Sequence, residues 1–593
     1  MFQTFEAQSS PDQGPPRLRA LRAEMVQRGV DVFLVPRADA HQGEYVAPRD
    51  ARLEWLTGFS GSAGFCAVLA NVAGVFIDGR YRVQVRSQIA KDFTPVHWPE
   101  TQLADWLPTQ IKTGVLAYDP WLHTVSEIEG LRRDLPQFTL KPTQNLIDLI
   151  WTDQPPAPTE PFTAHALEHA GELHTDKSAR LAAELKQDIA VLTLPDSIAW
   201  LLNIRGTDIA RNPVPQAFAI LHNSGRVDLF AGQGKADDIR DHLGSDVTLH
   251  DISGFLGVLK SNTGSALIDS RTCPDIVAST LTEVGCEVVQ GKDPCILPKA
   301  CKNPVEIAGS KTAHTRDAAA MVRFLAWLDA QGPDAGLTEI DVVKALEGFR
   351  MQTNALRDIS FETICGAGPN GAIVHYRVSE NTNRALARGE LLLVDSGGQY
   401  IDGTTDITRT MAIGTPTEEH RRCYTRVLQG MVAISRIRFP HGVGGQHLDA
   451  LARAPLWLAG QDYDHGTGHG VGSYLSVHEG PQGISRRSEV ALQQGMILSN
   501  EPGYYREGAF GIRIENLIVV IDAPALAGAD DRQMLAFETL TYVPFDRRLI
   551  DTSLLSTQER HWIDGYHADT LQLLEPLLAA SDCDWLKEAC APL

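Results

Sequence analysis

Apolar positions recur at helical spacing from Leu18 to Arg28 and again from Lys177 to Ile189. Each stretch is followed by short apolar runs of strand length. In the first piece these include Glu54-Trp55-Leu56-Thr57-Gly58-Phe59 and Val75-Phe76-Ile77-Asp78; in the second, Ala199-Trp200-Leu201-Leu202-Asn203 and Ala266-Leu267-Ile268-Asp269. The repeated Trp-Leu and Ile-Asp pairs predict two similar α/β domains. The Trp200 to Gly206 strand region and the Trp55 to Gly61 region would then occupy equivalent places in two similar folds. Chance is the competing explanation, because such short matches are common. The proline-rich run Asp153 to Pro161 reads as a stiff linker, and prolines interrupt the chain again between Pro294 and Pro304. The boundaries read from these breaks are 1–157, 158–303 and 304–593.

Beyond Pro304 the pattern changes. Val305 to Asp329 has the period of a long helix. Gly-rich loops then separate β-rich runs such as Leu391-Leu392-Leu393-Val394 and Leu517-Ile518-Val519-Val520. Thr415-Pro416-Thr417-Glu418 reads as a capping box with proline at the first helical position, opening a helix to about Ile437. Ser556-Thr557-Gln558-Glu559 opens another. The last portion is α+β.

Composition narrows the functional classes. The 593 residues are 43% hydrophobic and 21% charged, ordinary for a globular protein. A net charge of −21 repels phosphate backbones, which argues against nucleic acid as a partner. No apolar run reaches the ~18 residues of a membrane span. The first residues lack a basic start and an apolar core, and the 9 cysteines form no C-x-x-C pair. A reduced, cytoplasmic enzyme is the expectation.

The chemistry gathers after residue 370. Two β-rich runs flank Ile401-Asp402-Gly403 and predict a hairpin, with Asp395 and Asp406 nearly symmetric about its turn. Facing each other across the ladder they would repel, and a divalent cation between them reverses that penalty. An exposed, solvated hairpin is the alternative, against which the leucine run before Asp395 argues. Asp464-His465-Gly466-Thr467-Gly468-His469-Gly470-Val471-Gly472 spaces two histidines four apart, but its glycines disfavour a helix. It also lacks the Lys-Ser/Thr ending of a phosphate loop. His478 follows in Val477-His478-Glu479-Gly480-Pro481. Glu501 ends the apolar strand before Pro502, and Glu515 lies within Phe510 to Val520, where Arg513 offers an ion-pair partner. A buried, unpaired carboxylate is costly, so a shared cation site accounts better for Asp395, Asp406, Glu501, Glu515 and His469. Four carboxylates and one imidazole suit Mn²⁺, Co²⁺ or Zn²⁺.

The order Asp, Asp, His, Glu, Glu on these motifs resembles the pita-bread metallopeptidases. Ala372-Ile373-Val374-His375-Tyr376, the His465 to Gly472 run, Tyr474 to Pro481, and Asn203-Ile204-Arg205-Gly206 with Asn212-Pro213-Val214-Pro215 resemble the three-domain Xaa-Pro aminopeptidases (aminopeptidase P) in particular. The resemblance implies two creatinase-like α/β domains followed by a pita-bread catalytic domain. It implies a homodimeric hydrolase that removes an N-terminal residue preceding proline, using two divalent ions, Mn²⁺ first. Asp406 and Glu515 would bridge the ions, Asp395 complete one, and His469 with Glu501 the other. Glu501 would carry the proton to the leaving nitrogen, and His375, His465 and His478 would bind substrate and oxyanion. Prolidase-like activity on Xaa-Pro dipeptides and a non-catalytic binding protein are the alternatives. The first two domains hold no candidate ligand set and are expected to shape access and assembly.

Overall fold

The computed structural model describes residues 1–6 and 10–593. The chain folds into two compact units, one of Gln8–Ile296 and one of Met1–Ala7 with Leu297–Leu593.

Gln8–Ile296 contains two six-stranded sheets. In the first, the order is Thr94–His97, Ala73–Ile77, Phe65–Leu69, Val32–Pro36, Gly114–Tyr118, Phe138–Pro142. In the second it is Val247–Asp251, Val227–Ala231, Phe218–His222, Ile189–Leu192, Ser265–Ile268, Glu287–Gln290. Each opening strand is central, pairing antiparallel on one side and parallel on the other. The outer pairs match as well: the third and fourth strands are parallel, as are the fifth and sixth. The two halves therefore repeat one topology, as the sequence suggested.

The residues thought to mark that repeat need correcting. Trp55 and Trp200 both lie on helices, Arg52–Thr57 and Pro195–Leu202, each placed between the first and second strands of its sheet. The places are equivalent, but at the tryptophans they are helical. Ile77 ends a third strand whereas Ile268 ends a fifth, so the Ile-Asp match is coincidental. The counterpart of Ile268-Asp269 is Tyr118-Asp119. Asp119 accepts a hydrogen bond from Trp121 N at 3.0 Å, and Asp269 one from Arg271 N at 3.1 Å. The predicted Lys177 to Ile189 helix is His174–Glu184, because Ile189 opens a fully buried strand.

The other unit carries the candidate chemistry. Asn303 caps the helix Pro304–Gln331 in a box closed by Glu306. The helix Glu418–Ser435 starts two residues later than predicted: Thr417 is the cap and His420 closes the box, not Thr415 with Glu418. Thr557–Leu574 begins as expected, with Ser556 and Glu559. Leu391–Ser396 lies between Ile364–Ala367 and Ile407–Ala412 in a small antiparallel sheet, every residue of the central strand buried. A larger sheet runs Arg438–Pro440, Met534–Thr539, Asn516–Asp522, Ile497–Asn500, Gly468–Gly470, Glu479–Ile484. Residues near the chain start also pack here: Phe2 N donates to Glu347 at 2.6 Å, and Gln3 accepts from Thr363 N at 2.8 Å. No helix among the described residues is long and apolar enough to cross a membrane.

Arg409 ties the two sheets to the C-terminal segment. Its buried guanidinium donates to the carbonyls of Thr408 (2.9 Å), Glu515 (2.6 Å), Val543 (2.7 Å) and Pro544 (3.3 Å). It also reaches Asn516 Oδ1 at 2.8 Å and Tyr566 OH at 3.0 Å. Arg409→Met strands several buried carbonyls at once, so a loss of about 3 kcal/mol or more is expected. Tyr566→Phe should cost about 1–2 kcal/mol. Urea denaturation followed by circular dichroism measures both.

Candidate metal centre

The hairpin delivers two carboxylates. Asp395 pairs with Thr408 across the ladder, so Asp406 sits two positions from facing it rather than directly opposite. Both are buried. His469 comes from the short strand Gly468–Gly470, where a Cβ at Gly468 would collide with the Ser499 carbonyl; only glycine lets these strands approach so closely. Glu501 follows Ile497–Asn500 as predicted. Glu515 lies in the link between Phe510–Arg513 and Asn516–Asp522, not inside a strand.

These elements converge. Donor atoms of Asp406, His469 and Glu515 lie within 4.8 Å of one another. His469 Nε2 is 3.6 Å from Asp406 Oδ2 and 3.5 Å from Glu501 Oε1. Its Nδ1 meets the Gly470 carbonyl at 2.9 Å; a carbonyl only accepts, so Nδ1 carries the proton and Nε2 faces the carboxylates. Ser499 bonds His469 N at 2.9 Å and Glu501 Oε1 at 3.0 Å, holding these two side chains in a fixed relation. Thr408 donates to Glu515 Oε2 at 2.7 Å.

Arg513 does not pair with Glu515. It donates to Asp395 Oδ2 at 2.6 Å and stands 4.0 Å from Glu501 Oε2, so it links Asp395 to the cluster. It also donates to Tyr505 OH at 2.6 Å, and that hydroxyl is 2.8 Å from His465 Nε2. Arg513 Nη2 reaches the Val374 carbonyl at 3.4 Å, beside His375. His478 packs edge-on to His469, with ring centroids 4.3 Å apart. Thus Asp395, Asp406 and Glu515 form a buried floor. Glu501, His375, His465, His469 and His478 are each partly exposed above it. Tyr505, Thr408 and Ser499 were not identifiable in advance, because their role comes from cross-strand position rather than motif.

The electrostatics of the floor are unfavourable without a cation. Among the described residues nothing hydrogen-bonds Asp395 Oδ1, Asp406 Oδ1 or Glu515 Oε1, although all three oxygens are buried. Burial, then the charges of Asp406, Glu501 and Asp395, push the Glu515 carboxyl far above the usual range. Burial and the charges of Asp395 and Glu501 raise Asp406 to about 6 against the His469 hydrogen bond. Burial opposes charge on His469, but Asp406 and Glu501 outweigh it and lift the imidazole to about 9. Three orphaned carboxylate oxygens around an available imidazole nitrogen suit one or two divalent ions.

Metal ligands must be deprotonated, so at pH 7 loading should displace the His469 proton, about one per chain, with the raised Glu515 carboxyl adding to the release as the pH falls. Calorimetric metal titration in buffers of different ionisation heat counts the protons released. Affinity should fall further as the pH drops through about 6, where Asp406 also takes a proton. A loading that releases no protons would contradict this electrostatic picture.

Comparison with known proteins follows the same division of the chain. Metallopeptidase family M24 matches residues 308–522, and the C-terminal region of peptidase M24 matches 533–593. Creatinase/prolidase N-terminal domains match 17–150 and 153–306. The chain is 37% identical to "Probable Xaa-Pro aminopeptidase P" of Laccaria bicolor, covering 97% of this chain and 93% of that one. It is also 37% identical to aminopeptidase P1 of Lotus japonicus, covering 97% and 99%. Its fold superposes on the X-prolyl aminopeptidase of Caenorhabditis elegans, described as a cytosolic enzyme with a di-nuclear active site. That match has a TM-score of 0.91 and 33% identity, over 98% of this chain and 99% of that one. The Xaa-Pro dipeptidase of Bacillus anthracis, 24% identical with a TM-score of 0.51, shares the fold over 63% of this chain. The chain belongs to metallopeptidase family M24, and within it to the aminopeptidase P group, with two creatinase-like domains before a pita-bread domain.

Proposed function

We propose that the chain is an Xaa-Pro aminopeptidase, a metal-dependent hydrolase that removes the N-terminal residue from peptides with proline in second position. The observation that carries this reading is the buried floor of Asp395, Asp406 and Glu515 facing His469, with three carboxylate oxygens that find no hydrogen-bond partner among the described residues. It stands in a chain alike from end to end to proteins named for that activity.

In this reading Asp395, Asp406, His469, Glu501 and Glu515 hold two divalent ions, manganese being proposed ahead of zinc or cobalt. When bound, such ions supply Lewis acidity, which polarises a peptide carbonyl and makes water nucleophilic near neutral pH. Arg513 orients Asp395 and offsets part of the negative charge. Glu501 is partly exposed, and Ser499 fixes one of its oxygens. It takes the proton of the attacking water and passes it to the proline nitrogen, a tertiary amide that must be protonated as the bond breaks. His375, His465 and His478 bind the substrate backbone and stabilise the oxyanion; Tyr505 steadies His465. A cytosolic location, as described for the nematode relative, and a homodimer complete the proposal. Sedimentation velocity and metal analysis of the purified protein test the assembly and the manganese assignment.

Assaying Arg-Pro-Pro, Gly-Pro and Met-Ala-Ser side by side, with and without added Mn²⁺, tests the activity. Arg-Pro-Pro should be cleaved best, and chelation should abolish turnover. Preference for the dipeptide Gly-Pro would instead indicate a prolidase. His465→Ala should fold and keep its metal while kcat on Arg-Pro-Pro falls ~10²–10³-fold. Full activity in that variant would remove His465 from the mechanism.

A further inference from the structure

Lys299 and Lys302 precede the helix Pro304–Gln331, in the proline-interrupted segment between Pro294 and Pro304. Lysines ordinarily keep their ammonium groups in water, yet these two side chains are 2% and 1% exposed. Both meet one carboxylate. Lys299 Nζ is 2.9 Å from Glu479 Oε2, and Lys302 Nζ bonds Glu479 Oε1. The Glu479 side chain is wholly buried. Two positive charges on one negative charge, all out of water, is an expensive arrangement, and its place in the fold indicates what it holds.

Glu479 immediately follows His478. Its backbone pairs with Gly470, the residue after His469, at an irregularity in the ladder. Space has been left for it there: a Cβ on Gly472 would stand 3.2 Å from Glu479 Oε2, and one on Gly470 would collide with the Glu479 carbonyl. The lysine segment is anchored in turn. Lys302 N donates to the Gly495 carbonyl at 3.0 Å, and Cys301 bridges to Met496, just before the strand that leads to Glu501. The clamp therefore joins the start of the Glu501 strand to Glu479, the residue that follows His478.

We infer that Glu479, gripped by Lys299 and Lys302, is a positioning residue that sets the His478 imidazole against His469. The inference rests on the proposed role of His478 in binding substrate. Glu479 touches neither substrate nor ions; it acts through its neighbour. Removing one lysine leaves a neutral lysine–glutamate pair, so K299M and K302M should fold, whereas Glu479→Gln strands both ammonium groups.

The test is a double-mutant cycle in the full-length, manganese-loaded protein, with metal content and kcat on Arg-Pro-Pro as readouts. K302M and K299M should each lower kcat roughly 10-fold with metal content unchanged, and Lys302→Arg should recover part of the loss. In a His478→Ala background the same lysine changes should alter kcat less than about twofold, because their effect passes through His478. Losses that multiply in the double variants, lysine variants as active as the parent, or loss of metal would each overturn the inference. Full activity in His478→Ala alone would remove the reading beneath it. An impaired His478→Ala beside unaffected lysine variants would leave that reading intact and sink only the clamp.

Discussion

The structure is organised around the burial of carboxylates that repel one another. Asp395, Asp406 and Glu515 are taken out of water within a small volume, with Glu501 at its rim. Such groups remain ionised only if positive charge or hydrogen bonds answer them. Protein groups answer part of the demand: Arg513 for Asp395, Thr408 for one oxygen of Glu515, His469 for Asp406 and Glu501. Among the described residues, one oxygen on each of these three carboxylates is left without a hydrogen bond. The remaining demand has the chemistry of a hard cation, and the scaffold is built to hold the ligands still until one arrives. Strand pairing fixes Asp395 near Asp406, Gly468 lets the His469 strand close up, and Arg409 binds the Glu515 carbonyl to the C-terminal segment.

The same logic separates the two compact units. The unit of residues Gln8–Ile296 uses one α/β topology twice, and it includes buried charges answered by neighbouring side chains. Asp228 between His222 and His250 is one case, and Lys235 on Asp208 another. In the other unit, three carboxylates each with a buried oxygen that has no hydrogen-bond partner among the described residues, Asp395, Asp406 and Glu515, gather at one place.

Much of this was legible in the sequence for a physical reason. Each proposed ligand sits beside a local signal: a carboxylate ending an apolar strand, or a histidine among glycines. The partners were less legible because they come from distant strands. Arg513 lies two residues from Glu515 yet binds Asp395, 118 positions away. The register differs by two from a symmetric hairpin: Gly397 separates Leu391–Ser396 from Gly398–Tyr400, and Asp395 faces Thr408. The capping box lies two residues on, where Thr417 Oγ1 accepts from His420 N and His420 Nδ1 accepts from Thr417 N. Trp-Leu marked a true repeat and Ile-Asp did not, since two-residue matches carry little information without sheet order. Nothing in the spacing of Lys299 and Lys302 pointed to Glu479, 177 residues beyond Lys302.

Anomalous diffraction at the manganese edge, on crystals grown with Mn²⁺, tests the central claim most directly. The account predicts two peaks ~3.5–4 Å apart, enclosed by Asp395, Asp406, His469, Glu501 and Glu515. An empty cluster, or manganese held elsewhere with Asp395 and Asp406 turned away from Glu515, would contradict it.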